Sequence, residues 1–548
     1  MKFRNKALAI VALAALSTSL LSACSRNGNE NTGEASESKT PATASASPSS
    51  TNEASGQPQA SSLASADPVT LNFFYHDTKF DITGDSPILK KAAEATNVTL
   101  NNVAPAGGET AQAWNLMLAS GEIADILAYS TAELNAIASQ GALTPLDDLI
   151  DQYAPNIKQF LTDHPDIRKS ITAADGKIYV IPFVSDGKAQ EGWFIRKDWL
   201  DKLNLPVPTT VDEYYTTLKA FKEQDPNGNG KADEIPFFAR NNVTGPYMLL
   251  PLWDAFRGAN GVDFRIKDGK VSFGPAEEAY KTAMTAIASW YKEGLIDMEI
   301  FTRGNKARDE LFANNTGGSL HDWFASTSNF NTTAADWVAG FDLQPIAPPA
   351  SVSGQAIETT ARSPLTTGRG WSISAKTKDP VVAMKYFDYW WTEEGRRLLN
   401  FGIEGETYTM VDGKPQFTET VLKEPAVVDY LIAQTGAQIY IGGWQDYAYE
   451  QQWTNKIALA GAKLYTDNNY IAADMLLPAI SFTAEEENRL KEIKPAIDTY
   501  VTETSQKWYM GGADPASGFD AYLAQLKSLG IEEVTAIYQA AYDRYLQL

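Results

Sequence analysis

The chain has 548 residues and a formal net charge of −22. This length exceeds what one small core requires and predicts two or more lobes, and 13 Trp with 11% aromatic residues is typical of a folded protein. The excess of negative charge repels phosphate groups, so the composition excludes a nucleic-acid partner and binding to anionic lipid head groups through charge.

The first 23 residues have the features of an export signal. Lys2, Arg4 and Lys6 precede the apolar run ALAIVALAALSTSLL, which is too short and wrongly flanked for a lasting transmembrane helix. The signal ends in L-S-A-C, and Cys24 is the only cysteine in the chain. This is where a bacterial lipobox places the lipidated residue that becomes the mature N-terminus. We therefore predict a lipoprotein signal peptide over residues 1–23, with an ordinary signal peptide as the alternative.

Residues 24–67 form a segment of different composition. Ser, Thr, Ala, Pro, Asn, Gly and Glu predominate, and Leu63 is the only large apolar residue. Such a segment buries too little surface to fold, so we predict a disordered tether. The single cysteine also excludes an internal disulfide, and a lipidated Cys24 leaves no thiol nucleophile.

The folded part begins with PVTLNFFYH, a strand-like run, followed by a helix-like SPILKKAAEAT. A helical stretch then leads through ADILA into a buried strand, and DGKIYVIPF predicts another strand. A second strand-helix unit starts at Gly192, in which Thr209 or Thr210 is predicted to cap the helix VDEYYTTLKAFKE. Alternation of strands and helices predicts an α/β fold. Apart from DGKVSF and GRGWSISAK, helices are predicted for most of the remainder.

The segment DPNGNGKADE resembles the first nine positions of an EF-hand calcium loop. Asp225, Asn227, Asn229, Lys231 and Asp233 occupy the ligand positions 1, 3, 5, 7 and 9 of that pattern. Position 12 is Pro236, which has no side-chain ligand, and Glu234 is the only nearby carboxylate left over. A solvated Asx/Gly turn without an ion is the alternative.

The sequence shows no catalytic constellation. Its three histidines, His76, His164 and His321, do not have the H-E-x-x-H spacing, and neither a G-x-S-x-G elbow nor a G-x-x-x-x-G-K-[ST] loop is present. We therefore predict that the protein is not an enzyme. Paired carboxylates for glycoside hydrolysis stay open, because sequence does not give their separation.

Several phrases resemble, in order, the extracellular solute-binding lipoproteins of bacterial ABC importers, and most closely the large oligosaccharide-binding subgroup that includes the alginate-binding proteins. These phrases are GEIADILAY, GALTPLDDLID, DGKIYVIP, WFIRKDWLDKLNLPVPTTVDEY, VSFGPAEEAYKTAM, WYKEGLID, SAKTKDPVVAMKYFDYWWTEEGRRLLNFGIEGETY and YQAAYDRY. The resemblance covers the chain from about Val69 to the C-terminus.

The resemblance implies a two-lobed α/β fold of the periplasmic-binding-protein type, with hinge crossings and a helical C-terminal part. Lobe 1 is expected to comprise residues 68–190 and about 366–410, and lobe 2 about 191–365 and 411–548. It also implies a structural calcium ion held outside the sugar cleft by Asp225, Asn227, Asn229, the Lys231 carbonyl, Asp233 and Glu234. The expected partners are an oligosaccharide, the permease subunits and the membrane, through the lipid on Cys24. The protein is expected to act as an extracytoplasmic monomer.

Sugars are bound by aromatic faces and by planar polar groups that bridge hydroxyls. Trp323 with Asp322, and Trp444 with Tyr440, are the first candidates for the cleft, and burial in the core is the alternative for each ring. Further candidates are Tyr75, His76, Trp193, Arg196, Arg369, Trp371, Glu406 and Tyr408. Trp199, Trp290, Trp390 and Trp391 lie in amphipathic helices and are predicted to pack.

The sequence supports three functions. The first is the lipid-anchored sugar-binding component of an importer. A secreted carbohydrate-active enzyme and a peptide-binding lipoprotein are the alternatives.

Overall fold

A computed structural model describes residues 63–548 except 186, 188, 241–242, 259–262, 361–365 and 425. The predicted signal peptide, Cys24 and the predicted tether as far as residue 62 lie outside the described residues. Among the described residues, no helix combines the length and the apolar character that a membrane span needs.

The strands of the described residues are β1 Val69–Phe74, β2 Val98–Asn102, β3 Ile126–Ser130, β4 Ile181–Ser185, β5 Glu191–Arg196, β6 Ile235–Phe237, β7 Phe264–Lys267, β8 Lys270–Phe273, β9 Gly317–Trp323, β10 Leu343–Ile346, β11 Thr366–Ile373, β12 Tyr408–Val411, β13 Lys414–Phe417 and β14 Gly443–Gln445.

The α-helices are α1 Pro87–Thr96, α2 Thr110–Ser120, α3 Thr131–Ala138, α4 Asp147–Tyr153, α5 Pro155–Asp163, α6 Pro165–Ile171, α7 Lys197–Leu203, α8 Val211–Glu223, α9 Glu278–Lys292, α10 Ala307–Ala313, α11 Phe324–Ser328, α12 Phe330–Thr333, α13 Pro380–Tyr389, α14 Glu393–Phe401, α15 Glu419–Leu422, α16 Val427–Thr435, α17 Tyr447–Trp453, α18 Lys456–Asp467, α19 Ala484–Tyr509, α20 Pro515–Ser528 and α21 Ile531–Gln547.

The first sheet has the strand order β14-β4-β11-β3-β1-β2. β11 runs antiparallel to both of its neighbours, whereas β1, β2 and β3 are mutually parallel and β14 is parallel to β4. Successive residues of β1 face opposite sides of the sheet, so Phe73 and Phe74 enter different hydrophobic clusters. Both faces of this sheet are therefore covered, which agrees with the uninterrupted burial of β4.

The second sheet has the order β10-β5-β9-β6, with β5 antiparallel to β9 and β10. Its hydrophobic core includes Phe194, Trp199, Phe221 and Leu320. The three C-terminal helices α19, α20 and α21 pack against this second core, and the hydroxyls of Tyr280 and Ser505 are hydrogen-bonded at 2.7 Å between α9 and α19. As predicted, Trp199, Trp290, Trp390 and Trp391 are buried.

After β11, more residues belong to the core of the first sheet than the sequence predicted. The predicted boundary placed 411–548 in the second lobe. The structure instead groups Phe417, Val421, Leu431 and Tyr449 with the core of the first sheet, and β14 pairs with β4. The second core resumes at Ala458 in α18.

Candidate ligand-binding cleft

Two sheet edges meet at the crossings between the lobes. In the first sheet, β1, β3, β4 and β14 all end at the same edge, because β3 and β4 both run antiparallel to β11. Only five residues separate the end of β4 from the start of β5, so this edge lies close to the edge of the second sheet that carries Glu191. In the second sheet, Glu191 is paired with Trp323. The space between these edges is the candidate cleft.

Trp323 lies at this edge with 38% of its surface exposed, which is unusual for so large a ring. It is the last residue of β9, and its backbone N–H donates to the Asp322 carboxylate at 2.8 Å. A partly exposed indole held by its own strand is suited to stacking on an apolar ligand surface.

The Asp322 carboxylate accepts hydrogen bonds from protein donors and so holds these neighbours in position. Arg240 donates to it through Nε and Nη2, both at 2.8 Å, and Arg308 Nη1 lies 3.4 Å from it. The Asp322 side chain is only 4% exposed, whereas that of Arg240 is 26% exposed. The hydrogen bonds to Asp322 raise the pKa of Arg240 above its usual value. The charged group presented beside Trp323 is therefore Arg240, which sequence analysis missed.

A buried histidine lies between two glutamates on the same part of the second sheet. His321 Nε2 is 2.8 Å from Glu358 Oε2, and its Nδ1 is 3.9 Å from Glu191 Oε2. Burial opposes the charged form of His321, but the carboxylates of Glu358, Glu191 and Asp322 together outweigh it and raise the pKa of the ring. Glu358 also accepts hydrogen bonds from the backbone and hydroxyl of Thr360, both at 2.7 Å, and so fixes the position of Thr360.

On the first sheet, three predicted residues come together at the cleft edge. The Arg369 guanidinium lies 5.1 Å from the centre of the Tyr440 ring, and the Tyr440 backbone N–H donates to the Tyr75 hydroxyl at 3.3 Å. Tyr440 is 39% exposed and Arg369 is exposed, whereas Tyr75 is 5% exposed and stacks on Phe73. Tyr440 and Arg369 thus present an aromatic ring and a cation at the cleft edge of the first sheet.

Other predicted cleft residues are buried within the lobes. His76 is held by Thr110 Oγ1 and by the Gly107 carbonyl, both at 2.9 Å. Trp371 is fully buried and stacks on Phe387 with ring centres 4.1 Å apart. The burial of these side chains is that of structural residues.

At the far end of β5, Arg196 lies against the rings of Trp199 and Phe341 and donates two hydrogen bonds to Asp198. Trp193, 3% exposed, packs edge to face against Tyr214.

Glu406 and Tyr408 lie apart from the cleft edges, at the β12–β13 hairpin. Glu406 is exposed, while Tyr408 is 4% exposed and packs on Phe401 of α14.

Trp444 packs within the first lobe. The Arg396 guanidinium lies 3.7 Å from the centre of its ring, and Phe160 and His164 of α5 and its C-cap contact it at 5.0 and 5.9 Å between ring centres. Trp444 is partly buried, and the Arg396 guanidinium lies over its ring where a sugar would stack, so its position favours packing over ligand binding.

The loop 225–234 is folded around its acidic residues. The Asp225 carboxylate accepts hydrogen bonds from the backbone N–H groups of Gly228, Asn229 and Gly230, at 2.9 to 3.1 Å. The side-chain amides of Asn227 and Asn229 donate to Asp233 at 2.9 and 3.1 Å.

Glu234 is 1% exposed, and its buried Oε1 has no hydrogen-bond partner. Burial, with the charges of Asp225 and Asp233 nearby, raises the pKa of Glu234. Within the part of the chain that the structure describes, no three His, Cys, Asp or Glu side chains converge closely enough to hold a metal by themselves.

Comparison with known proteins gives consistent matches. The family model described as bacterial extracellular solute-binding protein matches residues 81–397. The fructooligosaccharide ABC transporter substrate-binding protein FusA of Streptococcus pneumoniae is 28% identical over 470 residues, which are 79% of this chain and 82% of that protein.

Two solved structures extend these matches. The crystal structure of alginate-binding protein AlgQ2 without calcium ion is 40% identical, with a TM-score of 0.74 over 88% of this chain and 100% of that one. The HMO-binding, ABC-transporter-associated solute-binding protein from Bifidobacterium longum infantis is 25% identical, with a TM-score of 0.74 over 88% and 99% of the two chains. These structures confirm the predicted two-lobed α/β fold, and the relatives are solute-binding proteins rather than enzymes.

Proposed function

Since this chain belongs to the bacterial extracellular solute-binding proteins, we propose that it is the substrate-binding component of an ABC importer and captures an oligosaccharide between its two lobes. The observation that carries the proposal is the exposed Trp323 ring at the edge of the second sheet, with Arg240 beside it and Tyr440 and Arg369 on the first sheet. Aromatic faces cover the C–H side of a pyranose, and guanidinium groups bridge hydroxyls.

The arrangement suits a trap that closes on its ligand. The candidate ligand groups lie on two separate sheets, so a sugar that touches both is bound best when the lobes approach each other. A ligand shifts an open-closed equilibrium only by its preference for one form. An oligosaccharide that bridges both edges has this preference, and the closed form is the one presented to the permease subunits.

Oligosaccharide is also the ligand class shared by the relatives. Their names give a fructooligosaccharide, alginate and HMO as ligands. A direct test is calorimetric titration with a panel of such oligosaccharides and with peptides, and an assay for new reducing ends after incubation with the same sugars. New reducing ends would favour the enzyme alternative. Binding of peptides alone would favour the peptide-binding alternative.

Substitution of Trp323 is expected to separate ligand binding from stability. If the ring contributes on the order of 2 kcal/mol of stacking, Trp323→Ala weakens sugar binding roughly thirtyfold, with little change in melting temperature. The matched control is Trp444→Ala, which removes a partly buried ring packed against Arg396 and Phe160 and is expected to lower the melting temperature of the ligand-free protein. Calorimetry and thermal melting measure both; normal binding by Trp323→Ala contradicts the assignment.

The loop 225–234 is proposed to hold a structural calcium ion through Asp225, Asn227, Asn229, the Lys231 carbonyl, Asp233 and Glu234. Hard oxygen donors of this kind suit calcium, and the unpartnered Oε1 of Glu234 is a buried acceptor that a cation would satisfy. Rotation of the Asn227 and Asn229 amides would direct oxygen rather than nitrogen toward the ion, in exchange for the hydrogen bonds that their Oδ1 atoms accept from the backbone N–H groups of Asn229 and Lys231. The name of the alginate-binding relative also refers to calcium.

The location of the protein is proposed from its N-terminal sequence. Lipidation of Cys24 would anchor the mature chain on the outer face of the cell membrane, beside the permease subunits, where it acts as a monomer.

A further inference from the structure

Glu191 is a carboxyl group at the rim of the candidate cleft without a hydrogen-bond partner among the described residues. Its nearest cationic atom is His321 Nδ1, at 3.9 Å, which is too long for a hydrogen bond. That nitrogen is itself buried without a hydrogen-bond partner. The Glu191 side chain keeps 22% of its surface exposed, so solvent or a ligand can reach it.

The sheet register places this carboxyl next to the Trp323 ring. Glu191 and Trp323 are directly paired across β5 and β9. Directly paired residues of antiparallel strands point to the same face with their Cβ atoms about 5 Å apart. A sugar unit stacked on Trp323 therefore brings its equatorial hydroxyls within reach of Glu191.

Burial and neighbouring charges act on the ionisation of Glu191 in opposite directions. Burial raises the pKa of the Glu191 carboxyl to about 7, and Glu358 and Asp322 act in the same direction, while His321 and Arg240 oppose it. Other charged or titratable groups near this cluster are Arg308, which contacts Asp322, and Tyr465 of α18, whose hydroxyl accepts from the Trp193 backbone N–H at 2.9 Å. Tyr447 and Glu450 lie beside Gly187 in the crossing.

We propose that Glu191 is a specificity-determining residue that accepts hydrogen bonds from hydroxyl groups of the sugar unit held against Trp323. This inference rests on the proposed capture of an oligosaccharide. It also assigns the chemistry of the subsite: the unit bound there is uncharged, because an ionised Glu191 repels a ligand carboxylate at hydrogen-bonding distance.

A hydroxyl ligand at Glu191 makes ligand affinity depend on pH in a defined direction. Hydroxyl donors stabilise the ionised carboxylate, so ligand binding lowers the pKa of Glu191 and releases its proton. Affinity must then increase as the pH rises through the range in which the free protein loses this proton. A ligand carboxylate at the same place would stabilise the protonated form and reverse the slope.

The test measures Kd for kestose and for an alginate oligosaccharide from about pH 5.5 to about pH 8.5. For wild-type protein, the affinity for kestose is expected to rise by about tenfold over this range. In Glu191→Gln the profile becomes flat, and binding at the upper end is about tenfold weaker than in the wild type. Glu278→Gln, which changes a glutamate that is 74% exposed on α9, is the matched control and keeps the wild-type profile.

Melting of the ligand-free proteins reports the structural role of Glu191 separately. A carboxyl whose pKa is raised from 4.5 to about 7 on folding makes the protein less stable as the pH rises through that interval, and Glu191→Gln removes this loss. If the variant changes the melting profile but leaves the Kd profile of the wild type, Glu191 is structural and the inference is wrong. A wild-type affinity that falls with rising pH also overturns it. If wild-type protein binds neither sugar, the pH series uses an uncharged oligosaccharide of the panel that it does bind. If it binds none of the panel, the proposed function fails, and the role of Glu191 fails with it.

Discussion

Chelation of calcium is expected to lower the melting temperature of the wild-type protein by several degrees. An ion that binds only the folded loop adds RT ln(1 + [L]/Kd) to the free energy of unfolding, about 2.7 kcal/mol at a hundredfold excess over Kd. The physical origin of this gain is the acidic loop itself. Asp225, Asp233 and the buried Glu234 lie near one another, and their mutual repulsion is relieved when a cation is bound.

The variant that tests this should remove charge and keep the turn. Asp225 has φ of 46°, in the left-handed region, where Asn is tolerated and most other side chains are strained. Asp225→Asn with Asp233→Asn is therefore preferred to alanine substitutions. We expect the double variant to melt at one temperature with or without chelator. Asp268→Asn is the matched control, since Asp268 lies in the β7–β8 turn with φ of 51° and is expected to retain the full response. A double variant that still responds fully to chelator contradicts the calcium assignment.

Local sequence signals were sufficient to predict helices whose capping residues lie within the same short segment. For α8, the sequence offered Thr209 or Thr210 as the cap. In the structure the Thr210 hydroxyl accepts from the Glu213 backbone N–H, while the Glu213 carboxylate accepts from the Thr209 backbone and hydroxyl. These contacts span only four residues, so their pattern is visible in a short window of sequence.

The cleft could be predicted only in part, because its groups come from distant parts of the chain. Arg240 follows a strand of three residues, and Glu191 begins another strand. Each becomes a candidate only through its partner in β9, about a hundred residues further along the chain. Neither residue has a local pattern that distinguishes it from other charged residues at strand ends. Trp323 was a candidate because it is an aromatic residue beside Asp322, and the structure adds the exposure of the ring.

The glycines beside Trp444 show how one pattern has two physical causes. In the sequence alone, Gly442 and Gly443 before Trp444 suit a loop from which a ring projects. In the structure, a Cβ at Gly442 would lie 2.3 Å from Trp371 Nε1, and one at Gly443 would lie 2.6 Å from a Leu399 methyl. The glycines therefore allow close packing of β14 in the first lobe. Such packing depends on residues far away in sequence, which explains why the return of residues 411–449 to the first core was missed.

Cys24→Ala is expected to remove essentially all of the protein from washed membranes. A thioether-linked diacylglycerol inserts two acyl chains, and two chains hold a protein stably where one chain binds only marginally. Charge does not supply a second anchor, since the net negative charge of the chain opposes attraction to anionic lipids. Fractionation with immunoblotting measures the effect, and mass spectrometry of the N-terminal peptide identifies the lipid.

Ser36→Ala, a change within the predicted tether, is the control and should stay membrane-bound. Recovery of Cys24→Ala in washed membranes, or of wild-type protein as a soluble chain with an unmodified cysteine, would contradict lipidation and favour an ordinary signal peptide.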